Sequence, residues 1–141
     1  VDHASKMKFH KLLRDLDLES LQYKQISELS GGQLQRVLVA RALMSDSTIY
    51  LLDEPFVGID FNSEQLIMEK LQHLKNQGKL ILIVHHDLSK AEQYFDRILL
   101  LNCTVRFFGP SHQAMQPQNL NRTFLFNVTS TLKEGSDISN D

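Results

Sequence analysis

The stretch 48–86 opens with Thr48-Ile49-Tyr50-Leu51-Leu52-Asp53-Glu54-Pro55 and closes with Leu80-Ile81-Leu82-Ile83-Val84-His85-His86. Each end is a short apolar run that stops abruptly at charged or polar residues, the pattern of a buried parallel strand. Between them Leu66, Ile67, Leu71 and Leu74 recur at helical spacing through 63–77, Glu69 and Lys70 lie off that face, and Gly78 stands where a helix C-cap belongs. Strand, helix and strand within about forty residues make a βαβ unit, whose right-handed crossover leaves the two strands parallel. The fold class is therefore α/β, a parallel sheet core with flanking helices. Asp53, Glu54 and His86 then share the C-terminal edge of the sheet, where open α/β sheets bind their ligands.

Upstream, Ala4, Met7, Phe9, Leu12 and Leu13 give 2–15 the rhythm of an amphipathic helix. A polar link, 17–25, leads to Ile26-Ser27-Glu28-Leu29-Ser30-Gly31-Gly32-Gln33. Leu34, Val37, Leu38, Arg41 and Ala42 then repeat at helical spacing through Leu43, so Ser-Gly-Gly sits at a helix N-terminus. Downstream, 89–95 reads as a short helix. The runs 97–101 and 105–108 read as a hairpin joined by Asn102-Cys103-Thr104 and ended by Gly109-Pro110. A last helix is expected at 119–126, and 129–141, rich in Ser, Thr, Asn and Asp, is expected to fray. No internal repeat and no sharp domain boundary is visible.

The 141 residues hold one small globular domain, and 42% hydrophobic against 23% charged residues argues against disorder throughout. The longest apolar run has five residues, far short of the roughly 20 that cross a bilayer. Fifteen Lys and Arg against seventeen Asp and Glu, a net charge of -2, leave no basic block for phosphates, so no nucleic-acid partner is expected. The single cysteine, Cys103, forms no internal disulfide and no thiolate cage, which fits a reducing compartment, with the cytosol as default. The sequence starts at Val1 without the zones of a signal peptide, which reads as processing or truncation.

Two adjacent carboxylates ending a buried strand repel each other and lose water, an arrangement that calls for a partner such as a divalent cation. Asp53 suits Mg²⁺, held directly or through water, and Glu54 suits the orientation or deprotonation of an attacking water in nucleotide hydrolysis. His86, across the sheet edge, is placed to hydrogen-bond a γ-phosphate and that same water. Ser30-Gly31-Gly32 presents a hydroxyl and bare backbone N–H groups at a helix start, a phosphate-binding arrangement. His85 alternates to the other side of the strand from His86 and reads as structural or loop packing rather than as half of a metal pair. His3, His10, His73 and His112 read as surface residues, and Cys103 as a turn residue.

Leu29-Ser30-Gly31-Gly32-Gln33 with Gln35-Arg36, then Leu51-Leu52-Asp53-Glu54-Pro55, then Gly58-Ile59-Asp60, then His86-Asp87, resemble the ATP-binding cassette (ABC) ATPases in motif, order and spacing. The likeness covers about 26–109, and less securely the flanking helix and 109–124. It implies a partial P-loop NTPase fold whose N-terminal part is missing. It also implies that Ser30, Gly31, Gly32 and Gln33 form the signature loop, which binds ATP in trans. By the same likeness Asp53 ends Walker B and holds Mg²⁺, Glu54 is the catalytic base, Asp60 is the D-loop acid and His86 is the switch histidine. Gln33 and Arg36 gain roles at the dimer and nucleotide interface. Implied partners are a second ABC ATPase subunit, joined head to tail, and membrane permease subunits. The place of action is the cytoplasmic face of the membrane, without insertion. The motifs are most similar to manganese, zinc or iron transporter ATPases, in which the cargo is selected by other subunits.

Nothing in 1–29 resembles the phosphate-cradling Gly-x-x-x-x-Gly-Lys-[Ser/Thr] of that family. The Q-loop glutamine and the adenine-stacking aromatic are absent as well, and Val57 stands where many members have Ser. The expected organisation is 1–126 as the C-terminal part of an ABC ATPase domain, with 127–141 as a flexible tail. Within it, 1–47 is the remainder of the helical subdomain with the signature helix. The core from Walker B to the switch histidine, with the hairpin, is 48–109, and 110–126 is a C-terminal helix. Expected activity is ATP hydrolysis when complete and dimeric, and none for this chain alone. Two other readings stay open: a non-catalytic remnant that docks on a cassette partner, and the C-terminal lobe of a chromosome-maintenance or repair ATPase. Against the latter, no sustained heptad precedes Ile26 and no basic strip is visible.

Overall fold

The computed structural model describes residues 2–124. Its first helix, α1 (His3–Asp15), begins at Asp2, whose Oδ1 accepts the Ser5 N–H at 2.6 Å, the ordinary action of an N-cap aspartate. Helix α2 (Gly31–Met44) follows two short 3₁₀ turns, Glu19–Leu21 and Ile26–Glu28. The helices α1 and α2 close each other's C-terminal ends. Lys8 on α1 donates to the carbonyls of Met44 and Ser45 at 2.8 and 3.0 Å. Arg36 on α2 donates to the carbonyls of Leu16 and Asp17 at 3.0 and 3.1 Å. Cations at helix C-termini satisfy carbonyls that have no partner within the helix. Arg36, read from the motif as an interface residue, is here largely buried and holds the turn after α1, where Asp17 adopts a φ of 52°.

Strand β1 (Ile49–Asp53), helix α3 (Phe61–Asn76) and strand β2 (Leu80–Val84) form the expected βαβ unit. The strands are parallel in the register Ile49↔Leu80 through Asp53↔Val84. Gly78, at φ 82°, lies just past the C-cap of α3, because the left-handed turn that reverses the chain there costs an L side chain strain that glycine avoids. Tyr50, Leu52, Ile67, Leu71, Val39 and Leu43 are buried, in keeping with the contacts of α2 with β1 and of α3 with β2. Lys70 on α3 reaches Asp15 of α1 at 2.8 Å, an ion pair shielded from solvent on the lysine side.

The expectation of fully buried strands is corrected. Burial alternates along both, and Ile49, Leu51, Leu80, Leu82 and Val84 are each more than half exposed. A parallel sheet is normally covered on both faces. Among the described residues this sheet has two strands, so one face keeps its apolar side chains in solvent.

Where the sequence offers no boundary, the described residues divide into two compact units, one ending at His86 and the other starting at Asp87. In the second, α4 (Ala91–Tyr94) precedes a hairpin of β3 (Arg97–Asn102) and β4 (Thr104–Pro110). Cys103 turns it at φ 59°, and a bulge interrupts the ladder after Leu100. The strand continues through Gly109-Pro110, where its end was expected. The helices α5 (Ser111–Ala114) and α6 (Pro117–Phe124) replace the single C-terminal helix expected at 110–126. Asn102 donates to the carbonyl of Thr123 at 2.7 Å, which ties α6 to the hairpin. The expected tail, 127–141, and the last two residues of that helix lie outside the described residues.

Ile67 is wholly buried on α3, so Ile67→Ala is expected to destabilise the first unit by about 2–5 kcal/mol, through lost transfer energy and the remaining cavity. Urea unfolding followed by circular dichroism measures it; a loss below about 1 kcal/mol would show that α3 does not carry the core.

Candidate functional site

Strand β1 ends at Asp53, and the chain turns sharply at Glu54, which is held at φ 47°. A glutamate in the left-handed region is uncommon and costs on the order of 1–3 kcal/mol, so the surroundings must impose it. They do so through the backbone. The Glu54 N–H donates to Val84 of β2 at 2.9 Å, continuing the parallel ladder by one bond. The Glu54 carbonyl accepts from the Val57 N–H at 3.3 Å and from Gln35 Nε2 on α2 at 3.2 Å. Pro55 and Phe56 are buried beneath the turn.

This conformation sends the Glu54 carboxylate to the end of β2. His86 Nε2 lies 2.9 Å from Oε1, and His85 Nδ1 lies 3.4 Å from Oε2. The glutamate side chain is 17% exposed and that of His85 13%, whereas that of His86 is 81% exposed. Oε1 and His85 Nδ1 are both buried, and neither meets a partner at hydrogen-bonding angles: His86 does not so reach Oε1, nor Nδ1 so reach Oε2. One oxygen of a buried carboxylate thus keeps unused accepting capacity beside an imidazole that is free to rotate into solvent.

The structure therefore brings together two of the three residues expected at the sheet edge. Asp53 pairs with Val84 in the ladder and is exposed, on the alternate positions shared with Ile49 and Leu51. His85, expected on the other side of the strand from His86 in a structural or loop-packing role, does pack edge-on against Phe56, but it also brings a second imidazole beside Glu54. Strand alternation ceases to apply there because β2 ends at Val84, so both histidines belong to the loop that follows it. Gln35 also escapes a reading based on hydrophobic period, since a polar helix residue gives no sign of the carbonyl it will meet.

Ser30 and Gln33 form a capping box at the start of α2. The Ser30 Oγ accepts the Gln33 N–H at 3.2 Å, and Gln33 Oε1 accepts the Ser30 N–H at 3.0 Å. Ser30 and Gly31 are exposed. A Cβ on Gly31 would meet nothing within 4 Å, whereas one on Gly32 would lie 3.0 Å from the Gly58 carbonyl oxygen and 3.6 Å from the Ile59 Cα. Gly32 is thus the place where the helix start and the 58–60 loop touch backbone to backbone. Asp60 caps α3, its carboxylate accepting the Ser63 N–H at 2.9 Å and the Ser63 hydroxyl at 2.8 Å. These bonds, the backbone one first, hold the Asp60 carboxyl below the usual carboxylate range.

Among the described residues, no group of three or more His, Cys, Asp or Glu is arranged to hold a metal ion. Mg²⁺ needs no such cage, because it keeps several waters and binds through one or two carboxylates plus substrate phosphates. The exposed Asp53, whose carboxylate makes no hydrogen bond or ion pair among the described residues, fits that mode.

The ABC transporter family model matches residues 2–57. The manganese transport system ATP-binding protein MntB of Halalkalibacterium halodurans is 46% identical over 122 residues, which cover 86% of this chain and 49% of the relative. The zinc transport system ATP-binding protein TroB of Treponema pallidum is 42% identical over 90% of this chain and 48% of its own length. Among solved structures, an inward-facing putative metal-chelate type ABC transporter superposes with a TM-score of 0.75 at 26% identity, over 89% of this chain and 50% of that one. The chain is part of an ABC ATPase domain. It spans about half the length of the curated relatives it matches, and its βαβ unit belongs to the P-loop NTPase fold of that family. Among the described residues no helix of this ABC ATPase segment is long and apolar enough to cross a membrane.

Two substitutions separate the glycines. Gly32→Ala is expected to leave the fold less stable than Gly31→Ala by about 1 kcal/mol or more, because only at Gly32 must backbone move to admit the methyl. Equal urea midpoints would remove the contact between α2 and the 58–60 loop. For Asp60 the folded carboxyl is more acidic than the unfolded one. Its capping therefore stabilises fully above about pH 4 and is lost as pH falls through the lower folded value. Asp60→Ala should flatten that acid limb of the stability profile, and an unchanged limb would remove Asp60 as its source.

Proposed function

We propose that this chain is the signature-to-switch portion of the ATP-binding subunit of an ABC transporter for metal ions, and that it couples ATP hydrolysis to transport across the membrane. The single observation carrying the proposal is the Glu54 carboxylate at the C-terminal end of the parallel strands, with its Oε1 2.9 Å from His86 Nε2. In this reading Glu54 is the general base. Its buried, underused oxygen takes a proton from a water as that water's oxygen attacks the γ-phosphorus, and the bond to the ADP oxygen breaks. The exposed His86 turns from Glu54 to the γ-phosphate and helps hold water and phosphate in line. Asp53 holds Mg²⁺, which when bound neutralises charge on the phosphate oxygens.

The exposed start of α2, with Ser30, Gly31, Gly32 and Gln33, binds ATP held by a second ABC ATPase subunit placed head to tail. The backbone N–H groups and the helix dipole supply the attraction. Asp60, at the start of α3, belongs to the loop that faces that second subunit. Alone, the chain does not hydrolyse ATP, because no Gly-x-x-x-x-Gly-Lys-[Ser/Thr] is present in it. Membrane permease subunits are the further partners, reached peripherally from the cytoplasmic face. The names of the relatives, which include manganese, zinc and chelated iron transport systems, support metal ions as the cargo class. They also favour transport over chromosome maintenance or a role as a remnant.

The test uses a completed chain, in which the N-terminal half of the Bacillus subtilis manganese relative, 52% identical over 101 residues, precedes Val1. Glu54→Gln in it is expected to lower ATP turnover by about 10²-fold or more while ATP binding persists, since an amide keeps the shape without acting as a base. Unchanged phosphate release would remove Glu54 from the mechanism.

A further inference from the structure

The second imidazole at Glu54 has no part in the reading above. His85 Nδ1 lies 3.4 Å from Glu54 Oε2, and its ring stands edge-on to Phe56, with centroids 5.5 Å apart and planes at 90°. Phe56 is buried, two residues beyond Glu54 in the same turn, and the His85 side chain is 13% exposed. The ring is thereby packed against an aromatic neighbour, and its buried Nδ1 lies beside the carboxylate without meeting it at hydrogen-bonding angles. His86 differs in being 81% exposed, so it is free to leave.

We infer that His85 is a positioning residue for Glu54: once His86 has turned away, a small rotation of the carboxylate brings Oε2, now 3.4 Å from His85 Nδ1, onto the Nδ1–H, which fixes the rotamer so that Oε1 faces the reacting water. This deepens the proposed function and rests on Glu54 being the base. The backbone of Glu54 is set by Val84, Val57 and Gln35, but those bonds leave the side-chain torsions open. A glutamate has three of them, and the entropy of freeing them works against a near-attack geometry. His86 cannot do this work while bound to phosphate. His85 can, because nothing in the turnover requires it to move.

The chemistry of the replacement side chain separates this role from packing. Asparagine places an N–H donor close to where Nδ1 lies, glutamine places one near Nε2, and phenylalanine keeps an aromatic ring against Phe56 without a donor. In the completed chain, His85→Phe and His85→Gln are expected to lower kcat about tenfold with KM for ATP within about twofold, and His85→Asn is expected to recover most of it. If His85 only packs on Phe56, the order inverts, with phenylalanine retaining activity and asparagine losing it, and the inference is overturned. Glu54→Gln, assayed alongside, tells the two failures apart: if it leaves turnover intact, the base assignment itself has failed. A second measurement does not need turnover. In the folded 141-residue chain, the ¹⁵N shift of the His85 Nδ1 is expected to move on Glu54→Gln. A shift unmoved by that change would overturn the contact.

Discussion

The left-handed turn at Glu54 is the constraint on which the site depends. Without a φ of 47° there, the residue after Asp53 would continue the extended strand and its carboxylate would point along or beneath the sheet. The cost of that conformation is met by three backbone-directed hydrogen bonds, from parallel strand β2, from the turn itself and from helix α2. The βαβ crossover supplies the first, because it sets Val84 beside Asp53 in register. The fold thus determines where one carboxyl group stands, and the two histidines at the end of β2 follow.

Helix α2 joins this turn to the rest of the unit in two places. Its first turn meets the 58–60 loop backbone to backbone at Gly32, and one turn later Gln35 donates to the Glu54 carbonyl. Under the proposed function, the helix whose exposed start faces ATP on a second subunit is therefore bonded to the residue that acts on this subunit's own ATP. A shift of α2 against β1 would alter the Glu54 carbonyl bond and the loop carrying Asp60 together. Arg36 and Lys8 tie α1 to α2 at both ends, so α1 would move with it. The unit carries the geometry of a stiff bracket around a single acid.

Much of this was legible in the residues. The apolar runs around Leu51 and Leu82, the stripe on 63–77 and Gly78 specified the βαβ unit, and the hairpin turn at Asn102-Cys103-Thr104 was read correctly, because local period and turn chemistry act over a few residues. What escaped reading depends on contacts between segments far apart. His85 was set aside by strand alternation, which fails once the strand has ended. Arg36 carries a motif-derived expectation, yet its guanidinium goes to carbonyls some twenty residues earlier, which no spacing rule reports. The exposed apolar face of β1 and β2 was also unread, since an apolar strand run records what burial it is built for and not which segment provides it. The roles of Ser30, Gly31, Gly32, Gln33, Asp53 and Asp60 toward nucleotide and Mg²⁺ come from the motif likeness, and the geometry adds the local partners of Ser30, Gly32, Gln33 and Asp60.

The central claim is that this chain contributes the start of α2 to ATP held by a second subunit. Sedimentation of the completed chain carrying Glu54→Gln, with and without Mg²⁺ and ATP, measures it most directly. The account predicts a monomer without nucleotide and a dimer with it, and a return to monomer when Ser30→Arg blocks the approach of phosphate to the helix start. A nucleotide-dependent dimer that persists with Ser30→Arg, or no dimer at all, would contradict it.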